Sequence, residues 1–428
     1  MEDLISAIST ASGRGGVAIV RVSGTGALAL AKKMFSHKGE YLPNMLYPGE
    51  IDCGSFKDYG MCVYFRAPKS FTGEEVVEFH CHGGQEIARG ILKKTFSLGA
   101  RAAERGEFTK RAFLNGKLSL SAAEGMAEMI NAESLSQIRA GYSLYTESLT
   151  DEGKRLQAVL QTCLASIDAD VDYPEEDLNA DSRIELSEKL KDTAQSLENL
   201  LKTYRAGKKI RTGVTVALCG APNAGKSSLL NALLGYEKAI VSDEAGTTRD
   251  IVEGNLEIKG VLFRLVDTAG LRESDHAIER EGIRRAEKAI AAADVIVYLK
   301  EDGEDFAFPA DTPCITVGAK CDLKRRTDCD VVLSSLTGEG LEAFRELLYS
   351  RGYGQESDVF LLEERHYRAV KDAAEAVSAA RSAVESGLPA ELYAEDVKRA
   401  WESLGTISGE TASETVITEI FEKFCVGK

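Results

Sequence analysis

The chain has 428 residues, 44% of them hydrophobic and 28% charged, with no low-complexity tract, which excludes a disordered protein and calls for more than one folding core. Its formal net charge of −16 excludes nucleic-acid binding over the whole surface, because neutralising phosphates takes clustered Lys and Arg. Met1-Glu2-Asp3 lacks the basic start and apolar core of a leader, and no apolar run reaches membrane-spanning length, so the expectation is a cytoplasmic protein with no membrane partner. Nine scattered cysteines without a Cys-x-x-Cys pair read as reduced thiols.

Short β-rich runs at Val17-Ala18-Ile19-Val20-Arg21-Val22 and Val76-Val77-Glu78-Phe79, mixed with helix patterns and glycine turns, predict an α+β domain over residues 1–116. From about Leu118 the spacing turns helical. Tyr142, Tyr145, Leu149, Leu156, Val159, Leu160, Cys163, Leu164 and Ile167 predict one long amphipathic helix. After a break at Asp172-Tyr173-Pro174-Glu175, a second helix carries Leu186, Leu190, Ala194, Leu197 and Leu201 and is expected to end near Gly207. Residues 117–212 therefore read as the first part of a helical domain. Period two takes over at Val214-Thr215-Val216-Ala217-Leu218 and opens an α/β unit over residues 213–352. Helical spacing returns in residues 353–428, through Tyr367, Val370, Ala374, Val377 and Ala380, then Val397, Trp401 and Leu404, then Ile417, Ile420, Phe421 and Phe424. The flanking helices predict one helical domain completed from both sides of an insertion; two separate bundles are the alternative.

The inserted unit carries the chemistry. Gly220-Ala221-Pro222-Asn223-Ala224-Gly225-Lys226-Ser227-Ser228 fits a phosphate-binding loop between a strand and a helix. Backbone N–H groups at such a helix start cradle phosphates, Lys226 brings a cation to the β and γ phosphates, and the Ser227 hydroxyl suits Mg²⁺. Gly246-Thr247-Thr248-Arg249-Asp250 suits a switch loop in which Thr248 closes over the metal. Asp267-Thr268-Ala269-Gly270 ends an apolar strand, with Asp267 for the metal's surroundings and Gly270 for the γ-phosphate. Ala319-Lys320-Cys321-Asp322 supplies base recognition, since the Asp322 carboxylate accepts from guanine's N1–H and exocyclic amine. The usual pattern there is Asn-Lys-x-Asp, and Ala319 stands where the Asn belongs. Ser334 and Ser335 form the last base-contacting loop. Leu271 follows Gly270 where a water-orienting Gln is common, so another group must position the water. Asn223 with Ser242, Glu244 and Thr247 is suited to hold a monovalent cation over the phosphates, and Glu279 to align water, although read alone Glu279 is a surface carboxylate.

With these motifs in place the whole chain resembles the MnmE (TrmE) family of tRNA-modification GTPases. The resemblance is carried further by Phe71-Thr72-Gly73-Glu74-Glu75, His80-Cys81-His82-Gly83-Gly84, the run from Gly106 to Lys117, Asp172-Tyr173-Pro174-Glu175-Glu176-Asp177 and Cys425-Val426-Gly427-Lys428. It implies an α+β N-terminal folate-binding and dimerising domain, an α-helical domain formed from two chain segments, and an inserted α/β P-loop G domain. It implies a homodimer whose G domains meet in the GTP state with K⁺ at the phosphates and Glu279 activating water. It implies a flavoprotein partner, MnmG (GidA), in a heterotetramer or larger complex, acting on the wobble uridine of certain tRNAs to add an aminomethyl or carboxymethylaminomethyl group. The added carbon would come from 5-formyl- or methylene-tetrahydrofolate, with Arg21, Glu78, Lys117 and Lys428 as folate contacts and Cys425 tied to the modification reaction. Their chemistry suits the ligand, since cations match a glutamate tail and a carboxylate accepts from pterin N–H groups. His80-Cys81-His82 is not expected to bind zinc, because alternate strand residues face opposite ways and no further ligand cluster is visible.

Two other readings compete. A regulatory GTP switch, such as a ribosome-assembly factor, would need no folate site. A folate-dependent one-carbon enzyme regulated by nucleotide would turn over folate without tRNA.

Overall fold

The computed structural model describes residues 3–172, 180–221, 223–236, 254–267, 288–300, 309, 311–354 and 360–428. In chain order its elements are β1 (Ile5–Ile8), β2 (Val17–Ser23), α1 (Ala27–Met34), β3 (Leu46–Asp52), β4 (Lys57–Phe65), β5 (Val76–His82), α2 (Gln85–Ser97), β6 (Arg101–Ala102), α3 (Glu107–Leu114), α4 (Leu120–Ile130), α5 (Leu135–Tyr145), α6 (Ser148–Asp172) and α7 (Ala180–Thr212). Then come β7 (Val214–Gly220), α8 (Lys226–Tyr236), β8 (Gly254–Ile258), β9 (Val261–Asp267), β10 (Val295–Leu299), β11 (Cys314–Gly318), β12 (Val331–Val332), α9 (Leu341–Gly352), α10 (Glu364–Glu385), α11 (Ala390–Ser408) and α12 (Glu414–Glu422). They form two compact units, one from Met1–Ala127, Leu144–Asp177 and Pro389–Lys428, the other from Glu128–Ser143 and Leu178–Leu388.

Strand alternation builds the first unit. Its sheet has the order β3-β4-β5-β2-β1-β6, antiparallel except for the parallel pair β1 and β6. Val20, Val22, Val77 and Phe79, all fully buried, face α1 and α2, which contribute Ala27, Leu30, Ala31, Ala88 and Ile91. Each buried Val, Leu, Ile or Phe side chain among them stabilises the fold by about 1.5–3 kcal/mol. The same alternation turns Arg21, Glu78 and His80 to the other face, where Arg21 and Glu78 stand opposite each other on β2 and β5.

That face is braced by Arg111, whose side chain is wholly buried. Its guanidinium donates to Asp3 Oδ1 at 2.8 Å, Glu107 Oε1 at 2.9 Å and Glu74 Oε2 at 3.1 Å. Arg101 binds Asp3 and Glu107 as well. Ser23 donates to Glu74, and Tyr64 to Glu75. The Phe71–Glu75 segment is thus tied to the chain start, to α3 and to the sheet. Burial pushes the Glu107 carboxyl up, but the Arg101 and Arg111 bonds and the Glu104 backbone N–H outweigh it and hold its pKa below the ordinary value.

The predicted single helix over 142–167 is two helices. Glu147 adopts a left-handed backbone (φ 65) between α5 and α6, and its carboxylate accepts from the Ser119 N–H. The apolar spacing continues across the joint, which hides it from periodicity. In this unit α6 lies along α11, and Gln157 Nε2 donates to the Trp401 carbonyl at 3.0 Å.

The second unit is a six-stranded sheet of order β12-β11-β10-β7-β9-β8, parallel except for the antiparallel β8 and β9. Its core joins Val216, Leu218, Phe263, Leu265, Val297 and Val317 of the strands to Leu229 and Leu233 of α8 and Phe344 and Leu348 of α9. Alongside, α7 packs against α10. The expected end of this helix at Gly207 is absent, and α7 runs on to Thr212. Gly207 serves close approach instead, because a Cβ there would collide with the Leu361 carbonyl oxygen.

Where the chain passes from α7 into β7, Arg211 is clamped by Glu128 at 3.2 Å and Glu363 at 3.1 Å, and its carbonyl accepts from Gln137. Burial first, then the neighbouring Glu363, push the Glu128 carboxyl up to about 7, against the pull of Arg211.

Two outcomes follow from these charges. Arg111→Ala should lower stability in urea unfolding by about 3–5 kcal/mol, because it strands buried carboxylates. Glu107, with its depressed pKa, contributes stability above the ordinary carboxylate range that is lost as pH falls through its folded value; the variant should show less of this acid-side loss. Glu128 behaves oppositely. Its raised pKa gives stability present below the ordinary value and lost as pH rises through about 7. Unfolding of the second unit, followed by hydrogen exchange, should cost about 1 kcal/mol less at pH 8 than at pH 6, and Glu128→Gln should erase that difference.

Candidate functional site

In the second unit the motif residues collect at one end of the parallel strands. The central strand β7 leads into the loop before α8, with β9 on one side and β10 on the other, so the loop sits where the strand order reverses. Asn223 (φ 67) and Gly225 (φ 101) are left-handed, a backbone pattern that turns successive N–H groups inward into an anion-binding nest. Lys226 opens α8, is buried, and donates from Nζ to the Gly220 and Ala221 carbonyls, both at 2.7 Å. Ala224 is buried, whereas Ser227 and Ser228 are exposed on the first turn of α8. Asp267 is buried at the last position of β9, beside Leu218 of β7. A buried carboxylate at the end of β9 and an exposed hydroxyl on the first turn of α8 are donor types suited to Mg²⁺.

The loops expected to recognise the base share that end. Asp322 is exposed in the turn after β11, and Lys320, left-handed at φ 57, donates from Nζ to the Asn223 carbonyl at 2.8 Å. This bond ties the base loop to the phosphate loop. The Cys321 N–H donates to the Leu333 carbonyl, so the turn is also tied to the segment with Ser334 and Ser335. Ser334 is buried and caps its own loop, accepting from the Leu336 and Thr337 N–H groups; Ser335 is half-buried. Ala319 fronts the phosphate loop, its Cβ 3.9 Å from the place a Cβ on Gly225 would occupy. Ser242, Glu244, Thr247, Thr248, Thr268, Ala269, Gly270 and Glu279 lie outside the described residues.

The first unit holds a cavity of about 320 Å³ lined by Arg21, Phe65, Phe71, Val76, Glu78, Met126 and Lys428. Three of the four residues expected at a folate meet there. Arg21 Nε donates to Glu78 Oε1 at 2.7 Å, and its guanidinium lies 5.7 Å and 5.6 Å from the ring centres of Phe71 and Phe108. The second Glu78 oxygen contacts His80 Nε2 at 3.2 Å. Burial raises Glu78, but His80 and Arg21 outweigh it and keep its pKa below the ordinary value, so the carboxylate stays an acceptor. Apolar walls around an anchored acceptor and cations fit a flat N–H-bearing ligand with an acidic tail. Lys428 reaches the cavity because Val426 pairs with Arg105 and because Gly427 (φ 95) has no side chain to strike the Ile8 carbonyl oxygen. Lys117 does not line the cavity; it is exposed, with Nζ on the Pro68 carbonyl at 3.1 Å. Cys425 is exposed and also outside the lining. Sequence reasoning missed His80 as the group orienting Glu78, although a two-residue spacing on one strand puts both on one face. Cys81 faces inward, donating to the Ala18 carbonyl, and among the described residues no group of three His, Cys, Asp or Glu is placed to hold a metal.

Comparison with known proteins gives two family matches: a model described as MnmE helical domain over residues 120–425, and one described as GTP-binding protein TrmE N-terminus over residues 4–117. Relatives named tRNA modification GTPase MnmE align over the full chain. They include those of Natranaerobius thermophilus (35% identical, 100% of both chains), Dechloromonas aromatica (39%, 100% of this chain and 99% of the relative) and Aquifex aeolicus (38%, 100% of both). The chain belongs to the MnmE family. Among solved structures, the G domain of the T. maritima FeoB iron transporter is 29% identical over 33% of this chain and 99% of its own, with a TM-score of 0.24. Membership in the MnmE family accounts for the conjunction of a phosphate-loop unit with long helices and a TrmE-type N-terminal domain. Among the described residues no helix is long and apolar enough to cross a membrane.

Restoring the side chain at the base loop gives a direct test. Ala319→Asn should tighten binding of a fluorescent GDP analogue about ten-fold, the worth of one well-made hydrogen bond, while Asp322→Asn should abolish the preference for GDP over ADP.

Proposed function

We propose that this chain hydrolyses GTP and that its nucleotide cycle drives modification of the wobble uridine of tRNA. The observation that carries the reading is the convergence of Lys226, Asp267 and the Lys320–Asp322 turn at one end of a parallel sheet, in a chain of the MnmE family. Lys226 and the Asn223–Ser228 backbone would hold the phosphates, with Ala224 and Gly225 in the nest. Ser227 and Thr248 would ligate Mg²⁺, and Thr268, Ala269 and Gly270 would follow Asp267 around the γ-phosphate. Asn223, Ser242, Glu244 and Thr247 would hold K⁺, which supplies positive charge to the phosphates in place of an arginine. Glu279 would orient the attacking water in place of the missing Gln.

The first-unit cavity supports a tetrahydrofolate as one-carbon donor, with Glu78 accepting from ring N–H groups and Arg21, Lys117 and Lys428 facing its carboxylates. Cys425, exposed near the cavity-lining Lys428, is available to the modification reaction. Exposed Leu46, Tyr59 and Met61 on the outer face of β3 and β4 support a homodimer formed through this domain. The acidic surface supports sharing tRNA contact with a more basic partner, the MnmG flavoprotein, which would also supply the redox chemistry.

Steady-state GTP hydrolysis in matched KCl and NaCl buffers tests the mechanism. The rate should rise at least about ten-fold in KCl, and Glu279→Ala should lose most of it without losing GTP binding. Hydrolysis indifferent to both cation and Glu279 would leave a simple switch as the better reading.

A further inference from the structure

Two lining residues of the first-unit cavity, Phe65 and Phe71, flank a short loop whose charges the one-carbon reading leaves unused. The residues that follow Phe65, Arg66-Ala67-Pro68-Lys69, are exposed. Arg66 and Lys69 form no ion pair among the described residues, and the Lys69 N–H donates to the Arg66 carbonyl at 2.8 Å, so the two cations stand at the ends of one turn. A third cation comes from elsewhere in the chain, since Lys117 Nζ sits on the Pro68 carbonyl.

The nearby carboxylates cannot neutralise them. Glu74 is held by Arg111 and Ser23, and Glu75 by Tyr64 and the Gly26 N–H. The loop is also braced. Ser70 Oγ donates to the Glu74 carbonyl and Asn115 Nδ2 to the Thr72 carbonyl, so the cations are presented on a backbone tied at one side. In a chain of net charge −16, an uncompensated positive loop between the cavity-lining Phe65 and Phe71 is a local exception. The cations are strung along a turn and a neighbouring segment instead of converging on one point. That suits several carboxylates in series better than a single phosphate.

We propose that Arg66, Lys69 and Lys117 extend the cavity into a subsite for a γ-linked polyglutamate tail, so that the site selects polyglutamylated tetrahydrofolates over the monoglutamate. The proposal rests on the folate reading of the cavity. Glu78 holds the ring-bearing part, Arg21 and Lys428 face the first carboxylates, and the loop takes the carboxylates beyond them. These contacts are exposed, so their worth depends on ionic strength.

The test is titration of the full-length protein with tetrahydrofolate monoglutamate and pentaglutamate at low salt and in 0.5 M KCl, followed by ligand fluorescence. The wild type should bind the pentaglutamate about ten-fold more tightly at low salt, with the advantage shrinking in high salt. Arg66→Ala with Lys69→Ala should erase the advantage and leave monoglutamate affinity unchanged, and Arg66→Glu with Lys69→Glu should reverse the preference. Equal affinity of the wild type for the two ligands, or a preference that survives both double variants, overturns the subsite while the folate reading stands. Binding of neither ligand overturns the folate reading itself, and the subsite with it.

Discussion

A guanidinium with no exposed surface is the constraint on which the first unit depends. Removing Arg111 from water costs several kcal/mol, and only well-placed carboxylates offset that cost. Asp3, Glu74 and Glu107 come from three stretches of chain that have no covalent reason to meet. Once they meet, Phe71 and Phe108 are held within 5.7 Å and 5.6 Å of the Arg21 guanidinium, and Arg21 is held on Glu78. The cavity is therefore shaped by an ionic core that lies outside its lining. The motif residues of this region divide into those that build the walls and those that face the space, and most of the acidic ones build walls.

In the second unit the ordering force is the parallel sheet. Among the described residues, the turns that carry Lys226, Asp267 and Asp322 lie at the same end of it, so a register fixed by buried Val and Leu side chains also fixes their relative heights. Polar ties then join the loops across that end, through Lys320 to Asn223 and Cys321 to Leu333. Glu133 grips the middle of β9 through Arg264 and its neighbour β8 through Asn255, and the Ser136 N–H donates to the Gly260 carbonyl at the β8–β9 turn. The strand that ends in Asp267 is thus held to the helical part of the same unit.

The class of each region was legible in the sequence because it rests on periodicity: two in the strands, near 3.6 in the helices, with phosphate motifs at the joints. Arg21 and Glu78 were joined at one ligand only through the family resemblance, and it is the β2–β5 register that sets them opposite each other. The residues that gather Lys428 into the cavity were not legible, because that contact depends on a β-bridge between Arg105 and Val426 across most of the chain. Glu147 hid a helix boundary because apolar spacing continued through it, and Gly207 suggested a boundary where there is none, because a glycine needed for close packing looks the same as one that ends a helix. Arg111 had no reading of its own in the sequence, within the run from Gly106 to Lys117. Its burial follows from tertiary partners, which local pattern cannot supply.

The 33 residues of α7 span about 50 Å, and only Gly213 separates that helix from the central strand β7. A strand and a long helix joined by one residue make a stiff arm with its pivot beneath the phosphate loop. A tilt of about 5° at the pivot carries the far end of the helix through about 4 Å, so a displacement at the nucleotide too small to alter any single contact becomes a side chain's width at the tip.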